Sequence, residues 1–150
     1  MAREAGRIAW ELADRVGQAS ALFHGVLGDV VASTPLTVAE AIALVVLASE
    51  PGGRTQADLG RALGVSRQHA HAMARRLRGL GLVRGDRRGR EVSMHPTARG
   101  KRLIEKLRPG AQARLARSLS GLTMREQIVL HRLCARLVES IEQELAGSAV

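Results

Sequence analysis

Aromatic residues are almost missing from this 150-residue chain: Trp10 and Phe23 are the whole complement, and there is no tyrosine. A core without rings has to be filled by Leu, Val, Ile and Ala, which suits packed helices. Cysteine is nearly absent too. The single Cys134 excludes an intrachain disulfide framework, no Cys/His cluster has zinc spacing, and a reducing compartment is the expected setting. Long apolar runs are also lacking. The longest, residues 41–48, falls far short of the roughly 20 residues that span a bilayer. The opening MAREAGRIAWELADRV carries acidic residues and no apolar run with a small-residue cleavage site, so a soluble, cytoplasmic protein with no membrane partner is expected. Catalytic signatures are wanting as well. With no P-loop, no dinucleotide fingerprint, no Ser/His/Asp or Cys/His arrangement and no paired carboxylates near its basic stretch, the chain reads as no enzyme, without cofactor or metal.

What the chain does have is positive charge, and that charge is local. The net charge is +9, and residues 61–102 hold 12 of the 23 Lys and Arg against only Asp86 and Glu91 of the 14 acidic residues. Everything else is near neutral. Concentrated basic charge is the footprint of a protein that neutralises phosphates and releases their counterions; a solubilising surface is the bland alternative. Length fits a single domain over residues 1–150, and a hydrophobic content of 45% argues against disorder.

Periodicity divides the chain. From Ile8 the apolar residues recur at Leu12, Val16, Ala19, Phe23, Val26 and Val30, the steps of one long amphipathic helix within residues 3–32. Thr37-Val-Ala-Glu40 has capping-box spacing and opens a second helix, almost wholly apolar to about Ala48 and ended by Pro51-Gly52-Gly53. So little polar surface predicts the centre of the core. Thr55-Gln-Ala-Asp58 caps a short third helix that Gly64 can end in the left-handed conformation, and Ser66 then caps a fourth over 66–79. A turn of only Gly64 and Val65 is what joins a helix-turn-helix pair; an ordinary helical hairpin fits that turn equally.

At about 100° per residue the fourth helix has two faces. Ala70, Met73, Ala74 and Leu77, with Leu80, form a packing stripe; Gln68, Ala72 and Arg75 point the other way, flanked by His69, His71 and Arg76. Gln can bond an adenine edge through both amide groups, Arg can do likewise for guanine or hold a phosphate, and Ala72 permits close approach to a groove floor. The first turn, with Arg67 and Gln68, is where such a helix meets bases. His69 and His71 do not make a metal pair, because residues two apart on a helix diverge by about 200°; solvated or phosphate-facing imidazoles are expected. His24, His95 and His131 stand alone, in core or surface roles.

Beyond it, Leu82-Val83-Arg84 and Glu91-Val92-Ser93-Met94 read as two short strands with Val92 and Met94 on one face. The turn between them, residues 85–90, carries Arg87, Arg88 and Arg90 and suits a minor groove; a solvated basic turn is the alternative. Asp86 is placed to orient one of the three. Pro96-Thr97 precedes a helix from about Ala98 that Pro109-Gly110 should break or kink. Thr123-Met-Arg-Glu126 caps the last helix, whose stripe runs Ile128, Val129, Leu130, Leu133, Leu137, Ile141 and Leu145. That stripe and the first helix carry more apolar surface than solvent allows, so either a second copy or an intrachain bundle covers them. Trp10, Phe23 and His24 are pocket-lining candidates more simply read as core, and Cys134, between Leu133 and Leu137, reads as buried packing.

The order of these pieces resembles the MarR family of bacterial winged-helix regulators. The likeness rests on LTVAEAIALVVLA, on TQADLGRALGVSRQHAHAMARRLRGLGLVRG, on HPTARG after the hairpin and on LTMREQIVLHRL at the last helix. It implies a mainly α fold: a winged helix-turn-helix with a small β-hairpin wing over 36–97, and a helical dimerisation region from 3–32 and 98–146. It further implies a homodimer on double-stranded DNA, each subunit setting one helix in a major groove and one wing in a minor groove of a palindromic site. Carried onto matching positions, Ser66, Arg67, Gln68, His71, Arg75 and Arg76 become recognition-helix contacts, which His69 joins from its flank. Arg87, Arg88 and Arg90 belong to the wing. Many relatives release DNA on binding a small, often aromatic, effector, although no motif here marks such a site. The wing is shorter than usual, and Pro109-Gly110 interrupts a helix that is commonly continuous. The expected function is a sequence-specific transcriptional regulator, a repressor; the alternatives are a non-specific chromosome- or RNA-binding winged helix and a module for an acidic protein partner.

Overall fold

Helix α2 (Val38–Ala48) organises the molecule, because an element apolar on every side has to be surrounded. A computed structural model describes residues 1–148, the side chains of Ala2 and Arg88 excepted. In chain order the elements are α1 (Ala2–Val31), α2, α3 (Gln56–Leu63), α4 (Arg67–Gly79), β1 (Val83–Arg88), β2 (Glu91–Pro96), α5 (Ala98–Ser118) and α6 (Met124–Gly147). Ala43, Leu44 and Leu47 of α2 are buried at the centre. Around them lie Leu59 of α3, Met73, Ala74 and Leu77 of α4, Val83 and Met94 of the hairpin, and Ile104 of α5. The predicted packing stripe of the fourth helix is therefore the stripe that is buried.

The helix starts follow from local chemistry. Thr37, Thr55 and Thr123 each accept from the backbone N–H three residues on, while Glu40, Asp58 and Glu126 reach back to the cap N–H. Each box satisfies two amides that a helix leaves without partners. The boxes carry charge consequences too: hydrogen bonds from Thr55, its hydroxyl first, hold the Asp58 carboxyl below its ordinary pKa, and Thr123 does the same for Glu126, its backbone N–H first.

The strands are longer than the sequence suggests. Val83 pairs with Pro96 and the antiparallel register runs without a bulge to Arg88 opposite Glu91, so Gly85, Asp86, Arg87 and Arg88 lie in β1 and the turn is Gly89-Arg90 alone. Gly89 has φ +63°, and the first central position of a type II′ turn calls for that. Poor strand formers are held in line by pairing. A side chain at Gly85 would crowd its cross-strand neighbour, since Val92 Cγ1 lies 2.9 Å from where a Cβ would stand. The loop before α3 adds a further rung: Arg54 and Met94 exchange both backbone bonds, at 3.2 and 2.8 Å.

Nor does Pro109-Gly110 break the fifth helix. α5 runs through both residues, because its packing along α1 outweighs the one backbone bond that proline forfeits. Here Val30 Cγ1 sits 3.6 Å from a Cβ built on Gly110, and Arg114 Nη2 meets Asp29 Oδ2 at 2.6 Å. At its N-terminus, Thr97 ties α5 to the end of α4: its N–H donates to Leu82 O at 2.9 Å and its hydroxyl to Gly81 O at 2.7 Å.

The terminal helices leave their apolar stripes open. α6 buries no residue and is not packed along α1. Ile128, Leu133 and Ile141 are exposed, as are Ile8, Leu12 and Val16 on α1. Two expectations fall with this. Trp10 is 79% exposed rather than core, and Cys134 is exposed rather than buried, because no other part of the chain among the described residues reaches those surfaces. Among the described residues no helix is long and apolar enough to cross a membrane.

Candidate nucleic-acid interface

The turn between α3 and α4 is set by one glycine. Gly64 adopts φ +63°, ψ +31°, and Val65 N–H reaches back to Gly60 O at 3.0 Å, the six-to-one bond of a Schellman motif. Val65 packs on the core and Ser66 starts α4 at once, its Oγ accepting from His69 N–H at 3.2 Å. Gly60 lets the two helices close up. A Cβ there would lie 3.3 Å from Ala70 Cβ. α4 ends in the same manner: Gly81 takes φ +68° and Leu82 N–H bonds Leu77 O at 3.0 Å.

So held, α4 turns Arg67, Gln68, His69, His71, Ala72, Arg75 and Arg76 outward, all exposed, while Ala70, Met73, Ala74 and Leu77 are buried. The exposed residues are not equivalent. Arg67 and Arg75 have no acidic partner among the described residues. His71 is turned toward α3, its Nδ1 3.0 Å from Gln56 Oε1. Arg76 is engaged from a further element: its Nε meets Glu40 Oε1 at 2.7 Å and its Nη2 donates to Pro35 O at 2.7 Å. Sequence reasoning took Glu40 for a helix cap and nothing more. The spacing of the box gave no sign of its second partner, 36 residues away.

On the wing, Arg87 and Arg90 are exposed and likewise without an acidic partner, while the side chain of Arg88 lies outside the described residues. Asp86 orients neither Arg87 nor Arg90. Strand alternation points it with Arg84 and His95, so it pairs with Arg84, and its Oδ2 lies 3.8 Å from His95 Nε2. His95 in turn fills the space over Gly53, whose φ is +75°. Among the described residues no group of three or more His, Cys, Asp or Glu is placed to hold a metal ion.

A helix-turn-helix whose second helix projects a basic face beside an arginine-bearing hairpin is the arrangement of a winged helix, and residues 34–91 match the sequence profile of the MarR family. Over those residues the chain is similar to the MarR family. It is similar in fold to a MarR-family transcriptional regulator from Rhodococcus sp. RHA1, at 19% identity and a TM-score of 0.74, covering 89% of this chain and 95% of that one. A Mycobacterium tuberculosis MarR family protein, solved in complex with salicylic acid, is 29% identical with a TM-score of 0.66, covering 84% of this chain and 93% of the other. BpsR of Bordetella bronchiseptica, whose DNA binding is regulated by 6-hydroxynicotinic acid, is 19% identical with a TM-score of 0.69, over 83% and 91% of the two chains. No curated protein matches the chain.

The protein also contains an apolar cavity of about 320 Å³ between α1, α2 and α5. Leu27 and Val31, Ile42 and Val45, and Leu107 and Leu115 supply walls from the three helices, and among the described residues Arg108 and Gln112 are the polar side chains lining it. The pocket candidates Trp10, Phe23 and His24 do not line it. The volume lies at the lower end of the range that holds small ligands.

Proposed function

We propose that this protein is a MarR-family, sequence-specific DNA-binding repressor, acting as a homodimer on a palindromic operator and released by a small aromatic acid. One observation carries the reading: α4 is locked into the core along one side and presents Arg67, Gln68 and Arg75 unengaged along the other. Unengaged donors on a rigid helix with a small residue, Ala72, between them suit base edges in a major groove. Ser66 Oγ accepts the α4 cap bond, which leaves its O–H to donate to a phosphate. His69 and His71 line the flanks, and Arg87, Arg88 and Arg90 anchor the wing.

A second copy is the occupant argued for the open stripes of α1 and α6. Two amphipathic helices with Ile8, Leu12, Ile128, Leu133 and Ile141 facing water would bury them against their own symmetry mates. Dimerisation also sets two α4 helices a fixed distance apart, which is what reading a palindrome needs. The apolar cavity with Arg108 and Gln112 at its wall suits an aromatic body bearing one carboxylate, the chemistry shared by salicylic acid and 6-hydroxynicotinic acid in the two relatives.

The test is selection of binding sites from a random duplex library at near-physiological salt, followed by titration of the enriched site against scrambled DNA. An enriched palindrome bound at least about 10³-fold more tightly, and weakened by millimolar salicylate, is the expected result. Salt-sensitive binding with no enriched sequence would favour a non-specific chromosome- or RNA-binding protein instead. Negligible binding even at low salt would point to an acidic protein partner.

A further inference from the structure

Arg76 sits on the flank of the surface assigned to DNA, yet its guanidinium already has two partners, one on α2 and one in the loop before it. Nε faces Glu40 Oε1 and Nη2 donates to Pro35 O, each at 2.7 Å. The Glu40 side chain is only 8% exposed, and its second oxygen accepts from Thr37 N–H at 2.8 Å. One carboxylate thus joins the first turn of α2 to the third turn of α4, with the loop before α2 as the other jaw. The same α2 forms a wall of the apolar cavity through Ile42 and Val45.

We infer that Arg76 is a positioning residue and not a DNA contact: with Glu40 it fixes the pitch of α4 against α2, and through it a displacement of α2 by a cavity occupant reaches the reading face. The inference rests on the DNA-binding reading above. Its chemistry is specific to the residue types. Lysine presents a point charge without the Nε/Nη fork, so it cannot hold Glu40 and the Pro35 carbonyl together. Glutamine at position 40 has one acceptor oxygen for two donors, Thr37 N–H and Arg76 Nε–H, and brings an amide N–H₂ against one of them.

Operator affinity measured across a salt series for the wild type, Arg76→Lys, Arg76→Ala, Glu40→Gln and the Glu40→Gln/Arg76→Ala double variant separates a strut from a phosphate contact. A phosphate contact would survive in Arg76→Lys. Its loss in Arg76→Ala would flatten the slope of log K against log salt by about 0.9 per contact, or about 1.8 for a dimer. The strut predicts that Arg76→Lys and Glu40→Gln each weaken the operator complex by about tenfold with the slope unchanged, and that the double variant is no weaker than the worse single one. Wild-type affinity in both conservative variants, or a flattened slope in Arg76→Ala, overturns the inference. Amide exchange in free protein gives a reading independent of DNA: α2's first turn and the second half of α4 should lose protection together in Arg76→Lys and Glu40→Gln. If the wild type selects no DNA sequence, the proposed function fails, and the strut then stands or falls on whether that joint loss appears.

Discussion

Replacing either of two glycines of α5 by alanine should move stability in opposite directions, although helix propensity favours both changes by up to about 1 kcal/mol. At Gly100 a methyl carbon would lie 3.2 Å from the Leu82 carbonyl carbon and closer still to its oxygen, well inside the roughly 3.3 Å at which carbon and oxygen meet without strain. On its other side Leu44 Cδ1, in the centre of the core, is 3.4 Å away. The oxygen cannot swing aside, since Thr97 N–H donates to it at 2.9 Å. Relief therefore means lifting the start of α5, at the cost of that bond and of the Thr97 hydroxyl bond to Gly81 O. Two hydrogen bonds at about 1 kcal/mol each, with overpacking of about 1 to 3 kcal/mol, exceed the propensity gain and leave a net loss of about 2 to 4 kcal/mol. At Gly110 only Val30 Cγ1 approaches, at an ordinary 3.6 Å, and the propensity gain should appear unopposed. Thermal unfolding at fixed protein concentration, followed by circular dichroism, should show Gly100→Ala melting about 5 to 15 °C below the wild type and Gly110→Ala at or slightly above it. A Gly100→Ala protein as stable as wild type would refute the close approach and the account of how α5 is anchored.

On the preferred operator, Gln68→Ala should cost about 1 to 3 kcal/mol and relax one base position, whereas Arg87→Ala should weaken all duplexes nearly alike and reduce the salt slope; identical behaviour of the two in a binding titration would show the face assignment to be wrong. A Leu133→Glu/Ile141→Glu variant, both sites being exposed on α6, should be monomeric by light scattering and lose operator binding while keeping its helical spectrum; a dimer of unchanged affinity would remove α6 from the interface. Because Thr55 and Thr123 hold the folded-state pKa of Asp58 and Glu126 below the ordinary values, both carboxylates contribute stability that is present above their unfolded pKa and lost as pH falls through the folded one. Urea unfolding between pH 6 and pH 2 should accordingly show a smaller acid loss for Asp58→Asn than for wild type, and equal losses would discount the Thr55 bonds.

Local signals in the sequence account for much of the architecture. Thr37, Thr55 and Thr123 mark helix starts because a cap and its N3 carboxylate are three residues apart on any chain. Gly64 marks the helix-turn-helix because a positive φ is cheap only for glycine. The buried and exposed faces of α4 follow from its period alone, and with them the placement of Gln68, Ala72 and Arg75 on one surface, while Arg67 is outward because it stands in the first turn.

What the sequence could not supply were the interactions between residues far apart along it. Gly85 and Asp86 look like a turn, and only pairing with Met94 and Ser93 makes them strand. Pro109-Gly110 looks like a break, and only α1 lying against α5 carries the helix across it. Trp10 and Cys134 have the surroundings of core residues in one dimension, yet in three both are exposed. The candidate site divides in the same way. Local period and charge determined which face of α4 looks outward, but which of its arginines are unengaged was decided by tertiary structure, because Glu40 and Pro35 meet Arg76 only once α2 and α4 have packed around a shared core.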